Sequence, residues 1–174
     1  MLPSGVIEIR GEVYLSRQTF LELNEARSAA GGSTFSNPRN AASGSLRQLN
    51  PEETRDRQLG FFAYGIEGDG GRIDSQGKAL TQLEAWGFET ARPWESFPNL
   101  DSLLAFHHRL EAHRADLPFD IDGVVYKLDS LALRAAAGRS ARAPRWALAH
   151  KFSPLEAQTL VKAIDVQVRH RRRS

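Results

Sequence analysis

Asp120 and Asp122 stand on either side of one isoleucine, and Gly123 follows at once. In an extended chain that spacing puts both carboxylates on one face, roughly 7 Å apart. Two acids so placed repel each other unless a cation lies between or beside them. A divalent metal is one such cation, and Mg2+ fits best because only oxygen ligands are on offer. A nearby arginine, or the capping of a turn, is the other reading. Gly123 leaves room for a ligand to come close.

Lysine is scarce: Lys78, Lys127, Lys151 and Lys162 stand against 19 arginines. Lys151 shares a strand face with Ala147 and Ala149, while Trp146, Leu148 and Phe152 face the other way. A compact ammonium beside small residues can point into a pocket and meet a phosphate oxygen. Lys127 ends the strand that holds the two acids. Parity turns it away from Asp122, so one shared site requires a twist or bulge.

The segment Asn37–Leu49 (NPRNAASGSLRQL) carries Arg39, Ser43 and Arg47 at i, i+4 and i+8. On a helix they form one stripe, with the guanidiniums starting about 12 Å apart. Ala41, Ala42, Gly44 and Ser45 keep the surface low. Two forked cations on a low surface near a helix N-terminus suit a phosphate chain. A helix packed through its small residues, with solvated arginines, accounts for the same pattern. Glu12 lies on the polar face of an opening strand, where a carboxylate is ordinarily solvated. No Ser-His-Asp set, HExxH motif, Walker A loop or GxGxxG is present. The five histidines lack ligand spacing, and those of the 99–113 helix are expected at the surface.

The elements that must position these groups follow from period and punctuation. Val6–Leu15 alternates and reads as a strand, or two short ones, with Ile7, Ile9, Gly11, Val13 and Leu15 on one face. Ser16 caps a helix to about Ala30, ended by Gly31-Gly32. Asn37-Pro38 starts a second helix. Leu59–Ile66 is apolar on both faces and reads as a buried strand. Gly68–Gly71 turns the chain. Gly77–Trp86 is helical, Phe88–Trp94 extended, and Asn99 caps a helix to about His113. Phe119–Leu128 and Arg145–Phe152 read as strands around a short Ser130–Ala137 helix. Ile164–Val168 starts a last strand. Without a clean βαβ rhythm, the fold class is α+β.

The chain has 174 residues, enough for one domain with a core. No apolar run approaches the ~20 residues of a membrane span. MLPSGVIEIR has neither the charged nor the apolar region of a signal peptide. The absence of cysteine excludes disulfides and a thiolate zinc site, and fits a reducing compartment. The net charge of +2 is uneven. Arg169, Arg171, Arg172 and Arg173 fall in the last nine positions, which hold no acid. The other 19 basic residues face all 21 acids, so the body is mildly acidic. A pI near 9.2 therefore does not announce a basic nucleic-acid-binding domain.

Taken in order, IRGEVYLS, FSNPRNAASGSLRQLNP, FFAYG, LPFDIDGVVYKLDSL and ARAPRWALAHKFSP closely resemble the adenylation domain of bacterial NAD-dependent DNA ligase. The resemblance runs to about Val168. It implies a covalent nucleotidyltransferase fold, ATP-grasp-like, with antiparallel sheets lining a nucleotide cleft. It implies NAD and Mg2+ as cofactors, nicked duplex DNA as partner, a monomer, and the bacterial cytoplasm. In this family a lysine takes AMP from NAD, passes it to the 5′-phosphate of the nick, and the 3′-hydroxyl displaces it.

The same resemblance assigns roles. Glu12 matches the ribose-contacting carboxylate, and Tyr64 the aromatic that stacks on adenine. Asp122 matches the metal-binding acid, with Asp120 in support. Lys127 and Lys151 match the two lysines that contact the nucleotide phosphate. Arg39, Arg47 and Arg114 match arginines of nick binding and the later steps.

Departures from the family pattern shape the expectation. The nucleophile motif Lys-x-Asp-Gly is not in these residues; Lys127-Leu128-Asp129-Ser130 resembles it only superficially. The expected organisation is a partial adenylation domain over 1–158, the start of a connection to an OB-fold over 159–168, and an unmatched basic tail over 169–174. The chain alone is expected to be inactive. A non-catalytic nicked-DNA-binding module is one alternative, and a frameshift or assembly product without a separate role is another.

Overall fold

The computed structural model describes residues 7–68, 73–154 and 160–164. Of the expected elements, the 68–71 turn beyond Gly68, the last strand beyond Ile164 and the basic tail lie outside them. No helix among the described residues is long and apolar enough to cross a membrane. The fold is mixed, with two separate two-stranded antiparallel sheets and six α-helices among the described residues.

The first sheet pairs β1 (Ile7–Tyr14) with β2 (Gly60–Gly68). The alternation of β1 is visible in its burial, with Ile7, Ile9 and Val13 half-covered and Glu8, Arg10 and Glu12 exposed. The register runs Arg10↔Gly65 and then Gly11↔Ala63, so Tyr64 is an extra residue on β2, a bulge. β2 is not buried on both faces as expected. Ala63 is enclosed, but Phe61 is 38% and Tyr64 40% exposed.

The connection between β1 and β2 is helical. Ser16 caps α1 (Arg17–Ala29) by accepting from the Thr19 amide. Asn37 caps α2 (Pro38–Ser45) in the same way, and Asn50 caps α3 (Pro51–Asp56). α3 is absent from the expected elements, although Asn50-Pro51 repeats the Asn37-Pro38 start signal. Ala41 and Ala42 of α2 pack on Leu15, with Phe20, Leu23, Phe35 and Leu59 around them. The small residues of α2 thus serve packing. Helix α2 ends at Ser45, so Arg47 lies beyond it.

On the far side, α4 (Gln76–Ala85) sets Leu80 and Leu83 on Ala63, with Trp86, Phe88 and Trp94 around them. Gly87, at φ 87°, lets the chain reverse after α4. The Phe88–Trp94 segment forms no named strand; one bond, from the Ala63 amide to the Glu89 carbonyl at 2.8 Å, ties it to β2.

α5 (Leu100–Ala112) is capped by Asn99 as expected. A 3-10 turn (Arg114–Asp116) then leads to the second sheet, β3 (Gly123–Lys127) with β4 (Ala147–Lys151), joined through α6 (Leu131–Ala137). Both strands are shorter than the expected Phe119–Leu128 and Arg145–Phe152. The Asp-Ile-Asp segment therefore precedes β3, and strand parity does not govern its carboxylates. An isolated Ser75↔Ser130 bridge, outside both sheets, ties the start of α4 to the start of α6. There the Gln76 amide donates to the Asp129 carbonyl and the Leu131 amide to the Asp74 carbonyl, each at 2.8 Å.

Candidate functional site

The β3–β4 register sets the site. Gly123 pairs with Lys151, Val125 with Ala149 and Lys127 with Ala147, and residues paired across an antiparallel ladder share a face. Lys127 and Lys151 thus project from one face at opposite ends, with Val125 and Ala149 between. Their backbones are roughly 13 Å apart at the rise of an extended strand. Parity along one continuous strand turns Lys127 away from Asp122. The conflict disappears because Asp122 lies before the strand and is reached from the other end of the ladder.

At that end Asp122 Oδ2 accepts from Lys151 Nζ at 2.7 Å and from Arg39 Nη2 at 3.4 Å. The Asp122 carbonyl accepts from the Phe152 amide at 2.9 Å, which fixes the residue to the exit of β4. The Lys151 hydrogen bond, helped by the charges of Lys151 and Arg39, holds the Asp122 carboxyl below its ordinary range, although burial opposes it. The Gly123 backbone is required by the fold. A Cβ there would lie 2.7 Å from Lys151 Cα, so the missing side chain makes room for β4, not for a ligand.

Asp120 is placed differently. Its Oδ1 accepts from Arg17 Nε at 2.6 Å. The same guanidinium donates to the Ala115 carbonyl at 2.5 Å and the Arg114 carbonyl at 3.1 Å. The two acids face different cations, and no group of three or more His, Cys, Asp or Glu that could hold a metal occurs among the described residues. A preformed carboxylate cage is not present. One carboxylate beside two cations does fit Mg2+, which keeps most of its waters and needs few protein ligands.

At the other end the Lys127 ammonium sits 4.5 Å from the centroid of the Tyr64 ring. The bulge presents Tyr64 there, and Gln76 Nε2 donates to its carbonyl at 2.9 Å. Burial first, and the charge of Arg134 second, lower Lys127 to about 8. Glu12, opposite Phe62 in the first sheet, is exposed and makes no ion pair among the described residues. Arg47 Nη2 donates to Ser43 Oγ at 3.2 Å, which preserves the stripe beyond the helix end. Arg114 Nη1 donates to the Ser153 carbonyl at 3.2 Å and lies over Phe152. The structure therefore brings Arg39, Asp122 and Lys151 together, and Tyr64 with Lys127. Arg47 and Glu12 stand apart from both groups.

Helix α5 grips the strand that carries Lys151. His107 is 4% exposed, not a surface group, and stacks on His150 with ring centroids 3.8 Å apart. His150 Nδ1 meets the Tyr126 hydroxyl at 2.8 Å. One helical turn on, Glu111 Oε1 accepts from the Ser153 amide at 2.7 Å. Neither His107 nitrogen makes a hydrogen bond of ordinary geometry. Burial first, then the nearness of His150, lowers the His107 pKa below 6.5, while Glu111 and the Lys151 backbone pull the other way. Protonation at low pH therefore favours the unfolded chain. The stability that this histidine confers is present above about pH 6.5 and is lost as pH falls below it. His107→Phe keeps the stacked ring without its titration. Thermal melts from about pH 7.5 to 5 are expected to fall more steeply for the natural chain than for H107F; parallel curves would refute the assignment.

A family model for the NAD-dependent DNA ligase adenylation domain matches residues 2–155. The chain is 48% identical over 165 residues to a DNA ligase of Stenotrophomonas maltophilia strain K279a, covering 94% of the chain and 20% of the relative. A DNA ligase of Xanthomonas euvesicatoria pv. vesicatoria gives the same identity and coverage. One of Phenylobacterium zucineum is 48% identical over 164 residues, covering 24% of its length. The chain thus spans about a fifth to a quarter of the curated relatives it matches.

Proposed function

Since the chain belongs to the NAD-dependent DNA ligase adenylation-domain family, we propose that it forms the nucleotide-phosphate wall of a bacterial enzyme that seals nicks in duplex DNA. The observation that carries this reading is the shared face of β3–β4. Lys127 lies over Tyr64 at one end, and Lys151 reaches Asp122 at the other. Tyr64 offers its ring to adenine and Glu12 its carboxylate to the ribose. Lys127 and Lys151 take the phosphate, where fixed cations are worth most as charge develops. Asp122 would hold Mg2+, which neutralises phosphate charge; Asp120, paired with Arg17, supports the loop behind it. Arg39, Arg47 and Arg114 contact the phosphates of the nick, and such binding falls steeply with salt. The setting is the bacterial cytoplasm, and the chain acts as a monomer.

These 174 residues contain no Lys-x-Asp-Gly, so they bind without completing the first step. Incubation with adenylate-labelled NAD and Mg2+ is expected to leave no label on the chain after a denaturing gel. AMP should nevertheless bind, and Lys151→Ala and Lys127→Ala should each weaken it about tenfold or more, the loss of one charge-assisted contact. Covalent label on a lysine would overturn the inactive assignment. AMP binding indifferent to both substitutions would overturn the wall itself.

A further inference from the structure

Of the four lysines, two are held by acids: Lys78 Nζ donates to Asp74 and Lys151 Nζ to Asp122, each at 2.7 Å. Lys162 is exposed. Lys127 differs from all three. It is half-buried, no carboxylate pairs with it among the described residues, and its ammonium rests on the Tyr64 ring. The neighbouring charge is another cation. Arg134 donates Nε to the carbonyl of Leu128, the residue after Lys127, and its guanidinium lies 4.5 Å over the Trp146 ring. Arg134 Nη2 is buried and has no hydrogen-bond partner.

An ammonium without a counter-ion, half out of water and beside a guanidinium, is destabilised relative to the neutral amine. Desolvation next to a second cation is a recognised way to make a lysine nucleophilic. The Arg134 charge that disfavours the ammonium also favours an anion beside that amine. We propose that Lys127 is a reactive amine that captures aldehydes bearing a phosphate, as an imine, with the positive charge of Arg134 favouring the phosphate. The neutral Nζ attacks the aldehyde carbon and forms the C–N bond, while the carbonyl electron pair moves to oxygen. The carbinolamine then loses that oxygen as water, with the amine proton, and leaves C=N. No oxidant or reductant enters. The adduct would occupy the ground beside Tyr64 and so block the nucleotide wall, a consequence that rests on the reading above. Transfer of AMP from NAD to the same amine is not implied, because phosphoryl transfer also needs the leaving group held in line.

The test treats the full chain with pyridoxal 5′-phosphate or with pyridoxal, traps adducts with borohydride, and maps them by peptide mass. The N-terminal amine titrates in the same range and is read separately as its own peptide. With Lys127 at about 8 and an ordinary lysine near 10.4, Lys127 should be labelled about tenfold faster at pH 8 than Lys78, Lys151 or Lys162. Its rate should level off above about pH 8, and the phosphorylated aldehyde should outpace pyridoxal. Arg134→Gln should erase that preference and move the pH midpoint upward. Labelling of Lys127 no faster than of Lys78, or a rate still climbing at about pH 10, would overturn the proposal. The pH profile needs no variant, so a poorly folded R134Q would not rescue it. Labelling that AMP does not suppress would leave the reactive amine standing and count against the nucleotide wall.

Discussion

Gly123→Ala will open the β3–β4 ladder at its Lys151 end. The added Cβ would fall 2.7 Å from Lys151 Cα and against the His150 carbonyl. Both are backbone atoms of the partner strand, so no side chain can swing aside. Relief requires the Gly123↔Lys151 pair to separate, and that pair aims Lys151 at Asp122. Overpacking of this kind costs about 1–3 kcal/mol, with backbone collision at the upper end. In a chain of this length that lowers the melting temperature by roughly 5–10 °C. The Asp122 carboxyl, freed from the Lys151 hydrogen bond, should move back up toward its ordinary range in a carboxyl NMR titration. Gly65→Ala is the control. A Cβ at Gly65 would meet only Arg10 Cβ, at an ordinary 3.7 Å. If the two variants melt alike, close strand approach is not what glycine provides at 123.

What the sequence made legible was local. Ser16, Asn37 and Asn99 each accept from the amide three residues on, as their position before an apolar-periodic run implies. A cap and its helix lie within one turn, so a single segment carries the whole signal. Asn50-Pro51 carries that signal too, but the helix after it, only six residues long, is too short to show an apolar period. The site was legible as residue types and not as arrangement. Lys127 and Lys151 share a face because of cross-strand register, which neither strand encodes alone. Periodicity could mark one side of α5 as apolar but could not show that His107 meets His150 across the fold. Parity along Phe119–Leu128 assumed a strand that starts four residues too early. Lys127 over Tyr64 depends on a bulge, and alternation gives no notice of one.

Arg17 is the extreme case of such illegibility, and its removal should be felt far from its helix. It stands at the first position of α1, where it reads as an exposed surface arginine, yet its partner Asp120 is 103 residues away. Its guanidinium gathers Asp120 Oδ1 and the carbonyls of Arg114 and Ala115, while its amide donates to the Pro118 carbonyl at 2.8 Å. That is one side chain holding the start and end of the loop between Arg114 and Asp122. Arg17→Ala keeps the amide bond and loses the rest. The ion pair is solvent-exposed, with side-chain exposures of 36% and 57%, so by itself it contributes at most about 1 kcal/mol. Charge-assisted bonds to two loop carbonyls add a comparable amount, for a total near 2 kcal/mol. Asp120→Asn, which leaves the carbonyl bonds in place, should therefore cost no more than about half as much. In the double variant the Asp120 contribution should vanish, with a coupling energy of about 0.5–1 kcal/mol. Equal losses for the two single variants would mean that the ion pair holds the loop and the carbonyl contacts are incidental. A larger loss for R17A, with Asp120→Asn nearly silent, would identify the guanidinium as a backbone clamp that sets where Arg114 and Asp122 stand.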